Sequence, residues 1–293
     1  MRKILEIHRA GPQHWVGDGF PVRSVFSYDR AGAALSPFLL LDHAGPARFP
    51  PTDEKRGVGE HPHRGFETVT IVYEGEVEHH DSAGNGGRIG AGDVQWMTAA
   101  SGIVHEEYHS RDFARAGGTF EVAQLWVNLP ARFKMAPPGY QTLLKPDIPV
   151  VELNGDTGVL RVIAGEYQGH KGPAHTYTPI NVWDLRLDAA ANVSLAVPEA
   201  HNLALVVLKG KVRINDSETA EPDEVVIFER GDGDVTVHAE RDATVLVLSG
   251  EPLNEPIAGY GPFVMNTREE IQQAFADYHA GRFARPVDKP VRV

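Results

Sequence analysis

Cysteine is absent from the 293 residues, which excludes disulfides, thiolate metal ligands and a cysteine nucleophile together. Any metal held by this chain is held by nitrogen and oxygen. A basic excess is missing as well: 28 Lys and Arg stand against 40 Asp and Glu, for a formal net charge of -12. With no basic run to offset that balance, direct phosphate-driven contact with nucleic acid is disfavoured. No stretch approaches the ~20 apolar residues of a membrane span. The opening "MRKILEIHRAG" has two early basic residues, but Glu6, His8 and Arg9 interrupt the apolar run that a secretory signal needs. A cytoplasmic protein is the expectation.

Helical signals are also scarce. Short apolar alternations separated by Gly, Asn, Asp and Pro turns run to about residue 250, among them "ETVTIVYEG", "DVQWMTA", "LALVVLKGKVRIN" and "ATVLVLSG". That pattern predicts an all-β architecture of sandwich or barrel type. One helix stands out, in "NTREEIQQAFADYHAGRF", predicted near 267–280. Thr267 and Glu270 have capping-box spacing, Ile271, Ala274, Phe275 and Tyr278 recur at helical intervals, and Gly281 suits the stop.

The chain is long enough for two domains, each with its own core, and its pattern repeats. "VYEGEVEHHDSAGNGGRIGAGDVQWM" and "VLKGKVRINDSETAEPDEVVIF" both run strand, Gly, strand, Asp-Ser turn and an acidic residue that opens another strand. The boundaries that follow are a first barrel over 1–135, a linker and inter-barrel segment over 136–159, a second barrel over 160–253 and an extension over 254–293.

Chemistry concentrates in one place. Six of the 14 histidines fall between residues 61 and 109. Side chains at i and i+2 leave the same face of a strand, so His61 and His63 point together. If pairing continues through Gly65, they share the apolar face of Val69, Ile71 and Tyr73, the expected barrel interior. In "SGIVHEEYHS" the same rule puts His105 and Glu107 on one face. Two imidazoles from one strand, with an imidazole and a carboxylate from another, make a four-ligand nitrogen and oxygen site with positions left over for water or substrate. Glu67, on the supposed inward parity, competes with Glu107 for the carboxylate role, and His109 is an alternative ligand on the parity of His105. His79 and His80 border an Asp-Ser-Ala-Gly-Asn turn and are assigned to it. His201 and His238 stand apart.

The segment from His61 to Glu107, "HPHRGFETVTIVYEGEVEHHDSAGNGGRIGAGDVQWMTAASGIVHEE", closely resembles the signature of the pirins. "SPFLLLD" before it and "GEPLNEPIAGYGPFVMNTREEIQQAF" near the other end are similar to pirin segments too, so the likeness covers nearly the whole chain. Pirins are bicupins, and the resemblance implies two cupin (double-stranded β-helix) barrels with a C-terminal helix. It places the metal ligands on His61, His63, His105 and Glu107 and leaves Glu67 as an inward-facing neighbour of that site. The metal implied is Fe(2+), with Mn, Ni, Cu and Zn compatible with the same donors. Aligning Gly210 with Gly75 puts Ala196 and Pro198 where the first two histidines would be, so the second cupin is expected to be metal-free.

Two functions follow from the resemblance. Several pirins resemble quercetin 2,3-dioxygenases, which open the heterocycle of a flavonol with O2 and release carbon monoxide, and here Glu107 would double as ligand and proton acceptor. Other pirins are described as iron proteins that act on regulatory protein partners through their redox state. An open site at a barrel mouth favours small-molecule chemistry over the second reading. A purely structural metal is disfavoured by the mixed His and Glu set.

Overall fold

The computed structural model describes residues 1–153, 155 and 157–284. Residues 285–293, the last nine of the extension expected over 254–293, lie outside the described residues. The architecture is β throughout, and the chain forms two compact units.

The first unit in order of chemistry comprises residues 14–22, 44–142 and 255–293. Its four-stranded antiparallel sheet runs Gly57–His63, Ile103–His109, Glu76–Asp81, Gly86–Gly90. A larger sheet includes Gly139–Leu143, Val94–Thr98, Phe66–Glu74 and Gly118–Asn128 as consecutive neighbours. Between them lies a core to which both contribute: Val77 and Ile89 from the small sheet meet Val72, Phe120 and Val122 from the large one. Burying each such side chain stabilises the fold by about 1.5–3 kcal/mol, which is why the register of these strands is sharply specified.

The core composition corrects the expected parity. Val72 faces the interior, so Thr68 and Thr70 do as well, while Glu67, Val69 and Ile71 occupy the opposite face. The alternation does not carry through Gly65. That residue adopts φ +90° and separates the strand of His61 and His63 from the strand Phe66–Glu74. A Cβ there would stand 1.9 Å from the Val264 carbonyl oxygen, so no other residue fits. Arg64 bridges to Phe263, and Val264 N–H donates to the Arg64 carbonyl at 3.0 Å. The segment around Pro262–Met265 therefore docks beside the histidine strand.

The second unit comprises residues 1–13, 23–43 and 143–254. Its sheet has the order Ile4–Arg9, Glu224–Phe228, Asn202–Ile214, Val235–Gly250, Ile180–Leu187, Gly158–Ala164, Val150–Glu152, with Asn192–Leu195 added to Val235–Gly250. The two long central strands shift register at Val207, Lys209 and Lys211, bulges that let a sheet curl. The sheet encloses a core that includes Trp183, Leu205, Val212, Ile214, Val237 and Val247.

The repeat holds at the level of pairing. In the first unit Val77 lies opposite His109 and His79 opposite Glu107; in the second Val212 lies opposite Ala239 and Ile214 opposite Val237. Gly75 and Gly210, at φ +86° and +83°, sit at the matching bend. The units are nevertheless not consecutive segments. The N-terminal strand Ile4–Arg9 pairs with Glu224–Phe228 of the second unit, and residues from 255 onward belong to the first. The expected blocks 1–135 and 254–293 cut across that interleaving, because an edge strand takes its partner from space and not from sequence.

The helix runs Arg268–His279, with both halves of the Thr267 and Glu270 capping box formed. Such caps are worth ~1 kcal/mol. Ile271 and Ala274 are buried against Phe263 and Met265. Arg64, itself buried, donates to Asp277 at 2.7 Å and to the Ser101 carbonyl at 2.7 Å, tying the helix to the residue after His63.

Candidate metal centre

His61 and His63 come from Gly57–His63, and His105 from the strand it pairs with, where His105 stands directly opposite His61. Three imidazoles converge there. One ring nitrogen from each lies within 4.8 Å of the other two, and the ring centroids are 4.3 to 5.0 Å apart. Glu107 follows His105 on the same face of its strand, but the pairing with Gly57–His63 shifts between the two, and Glu107 faces Val58. The shift is a bulge at Gly59 and Glu60. It supplies the Gly59 carbonyl, to which His61 Nδ1 donates at 2.8 Å.

A carbonyl can only accept, so this bond puts the proton of His61 on Nδ1 and leaves the Nε2 lone pair available. His63 repeats the device, its Nδ1 donating to the Pro262 carbonyl at 3.4 Å. Among the described residues His105 has no hydrogen-bond partner at either ring nitrogen, despite being 1% exposed. An orphaned buried imidazole costs free energy, and a coordinated cation is the group that removes that cost. Burial first, then the neighbouring His61, holds the His63 pKa down at about 3. Burial and the adjoining histidines keep His105 well below the usual imidazole range too. Neutral imidazole is the ligand form, and so the residues present fit a divalent transition metal.

Glu107 is buried but lies outside the 4.8 Å group. Its carboxylate accepts from Gln124 Nε2 at 2.9 Å and from Thr70 Oγ1 at 3.3 Å. Each oxygen keeps a lone pair beyond those bonds.

The remaining sequence candidates separate clearly. Glu67 is buried on the opposite face from Thr70 and accepts from Thr98 Oγ1 at 2.7 Å. Burial raises its pKa to about 7, against the lowering influence of Thr98 and Trp96. It is no neighbour of the three histidines, because the break at Gly65 reversed the parity on which that expectation rested. His109 is not a ligand either. Its Nε2 donates to the Gly19 carbonyl at 2.9 Å, and Phe20, Phe49, Phe113 and Phe120 surround its ring. It is a satisfied core histidine.

His79, expected at a turn, lies instead beside this cluster, close enough to act on His105. It stands opposite Glu107, is 1% exposed, and stacks on Tyr140 with ring centroids 4.4 Å apart and planes 17° from parallel. Neither His79 nitrogen nor the Tyr140 hydroxyl has a hydrogen-bond partner. Burial lowers the His79 pKa to about 4 and raises that of Tyr140 to about 12. Parity with Val77 was the available signal for His79. The turn role falls to Asp81, which accepts from Ala83 and Asn85 backbone N–H groups at 2.9 Å each, while His80 is exposed.

Lys134 was also missed. It is 1% exposed, and its Nζ donates to Gly65 O, Asn128 Oδ1 and Val264 O at 2.8, 2.6 and 2.9 Å. It clamps the glycine after the ligand strand to the docked C-terminal segment. Burial lowers its pKa to about 7.

Comparison with known proteins places this geometry. The family model described as Pirin matches residues 19–127, and the Pirin C-terminal cupin domain matches residues 182–284. A Pseudomonas aeruginosa protein provisionally named quercetin 2,3-dioxygenase is 60% identical over 285 residues, covering 97% of this chain and 99% of that one. A pirin-like protein of Caulobacter vibrioides is 41% identical, with 97% and 99% covered. The solved quercetin 2,3-dioxygenase of Acinetobacter baumannii superposes with a TM-score of 0.95 at 54% identity, covering 98% of this chain and 100% of that one.

Proposed function

The chain belongs to the pirin family, and from that premise we propose that it is a metal-dependent dioxygenase acting on quercetin or a related flavonol with O2. His61, His63 and His105 would hold the metal, with Glu107 completing the set, and Fe(2+) is the proposed ion. The observation that carries the reading is the convergence of three imidazoles, those of His63 and His105 buried, whose other ring positions are fixed or, among the described residues, unpartnered. When bound, the ion would supply Lewis acidity toward the flavonol oxygens and a site for O2.

The protein's own groups do the rest. Glu107, held by Gln124 and Thr70, is placed to accept the proton of the acidic ring hydroxyl. His79 and Tyr140 present a stacked aromatic wall beside Glu107. Trp126 stacks on Phe66 at 4.2 Å and lies 5.4 Å from the His63 ring. Flat aromatic faces orient a flat polyphenol and exclude water from the reacting ring. The names of the P. aeruginosa and A. baumannii relatives support the same substrate class.

Iron-loaded protein given quercetin should consume O2, and His61→Ala should lose both metal and turnover. Metal fully bound with no O2 uptake across flavonols would shift the reading to a redox-responsive regulator of protein partners.

A further inference from the structure

The second barrel has lost the metal site but kept a cavity. Gly75 and Gly210 flank strands that pair in the same register, so His105 and Glu107 become Val235 and Val237, and Leu195, which pairs with Val235 as His61 pairs with His105, takes the place of His61. Ile214 stands where His79 would be. None of these side chains can bind a metal. Those side chains are packed into the core, and a separate cavity of about 710 Å³ opens with Ala196, Val197 and Pro198 in its wall, within the usual size range of small-molecule sites.

Two of its polar groups are buried donors. Trp183 lines it and is 1% exposed, yet its indole Nε1–H has no partner among the described residues; indole can only donate. Beside it runs a short chain of hydrogen bonds. The Glu166 backbone N–H donates to Asn181 Oδ1 at 3.1 Å, which fixes the amide, and Asn181 Nδ2 donates to Ser249 Oγ at 2.9 Å. Ser249 is fully buried, so its own proton needs an acceptor, and His201 Nδ1 at 3.4 Å is that acceptor. The His201 proton therefore sits on Nε2, a second donor on a residue that lines the cavity. At the rim Lys171 adds a cation, 4.0 Å from Glu166, which is the one carboxylate in the lining. Pro179, Ile180 and Val197 give the wall its apolar part, and Gln168 and Thr176 add an amide and a hydroxyl.

We infer that this cavity is a metal-free binding site for small aromatic carboxylic acids, the ring lying among the apolar residues and the carboxylate accepting from Trp183 and His201. The two donors, with Lys171 beside them, favour an anion or strong acceptor, and the apolar part of the wall accommodates a ring. The inference is independent of the reaction proposed for the first barrel.

The test is a titration of the full chain with benzoate, followed by the indole N–H resonances of its four tryptophans, with Trp183→Phe to identify the one concerned. The Trp183 resonance should shift saturably with a Kd below about 1 mM. Trp183→Phe, which keeps the ring and loses the donor, should weaken binding about tenfold or more. Lys171→Glu, on an exposed side chain that the fold does not need, should weaken it as well, while His61→Ala should leave it unchanged. No saturable shift at roughly 10 mM benzoate, equal affinity for benzyl alcohol, or loss of binding in His61→Ala without loss in Lys171→Glu would overturn the inference.

Discussion

Gln124 Nε2 donates to Glu107 at 2.9 Å, so the carboxylate that follows the third histidine is oriented from the opposite sheet of its barrel. Gln124→Leu removes that donor and leaves the three imidazoles untouched. Turnover should fall about 10- to 100-fold, the usual cost of losing a group that orients a ligand. Metal content should stay near that of the parent protein. Parallel measurement of kcat and bound metal checks both halves of the statement.

His79 and Tyr140 are predicted to bind substrate and not metal. His79→Ala opens one side of the stack, which is worth ~0.5–1.5 kcal/mol for an aromatic pair. KM for the flavonol should rise about 3- to 10-fold with metal content unchanged. Loss of metal in His79→Ala would make it a ligand and overturn the assignment.

Much of the site was legible because parity within a strand is local. The pairs His61 with His63 and His105 with Glu107 follow from i and i+2 alone, and the Thr267 cap from its spacing to Glu270. What was not legible depended on breaks and partners. Glu67 was misplaced because a single positive φ at Gly65 resets the alternation. His79 was missed because its position opposite Glu107 is a matter of register between strands. Lys134 reads as an exposed lysine until the residues it bonds, Gly65 and Val264, are brought together from widely separated parts of the chain.

Gly65 should therefore be among the least replaceable residues near the site. Gly65→Ala forces a Cβ to within 1.9 Å of the Val264 carbonyl at a φ of +90°. A loss of roughly 3 kcal/mol or more is expected, read from the midpoint of denaturant unfolding, together with weaker metal retention because His63 is two residues away.

Lys134 makes a pH-dependent contribution. Its folded pKa, lowered to about 7 by burial, lies below its ordinary value of 10.5. Between those limits the unfolded chain holds a proton that the folded chain has released, so raising the pH favours the folded state. The contribution should grow from about pH 7 to pH 10.5, at up to ~1.4 kcal/mol per pH unit. Lys134→Met should lose that slope. Equal slopes in unfolding free energy for both proteins over this window would contradict the assignment.

Asp277→Ala leaves the buried Arg64 guanidinium without its carboxylate. Asp277 is itself only partly buried, so leaving the buried Arg64 without it should cost about 1–3 kcal/mol, and urea unfolding should show it. The Arg64 contact with the Ser101 carbonyl and the Phe283 ring remains, so the variant should still fold.

The most direct test of the central claim is the gas balance of the iron-loaded protein with quercetin. One carbon monoxide should be released for each O2 consumed, and His105→Ala, which removes one of the three converging imidazoles, should do neither. Full iron occupancy with no O2 consumed, or O2 consumed without carbon monoxide, would contradict the account.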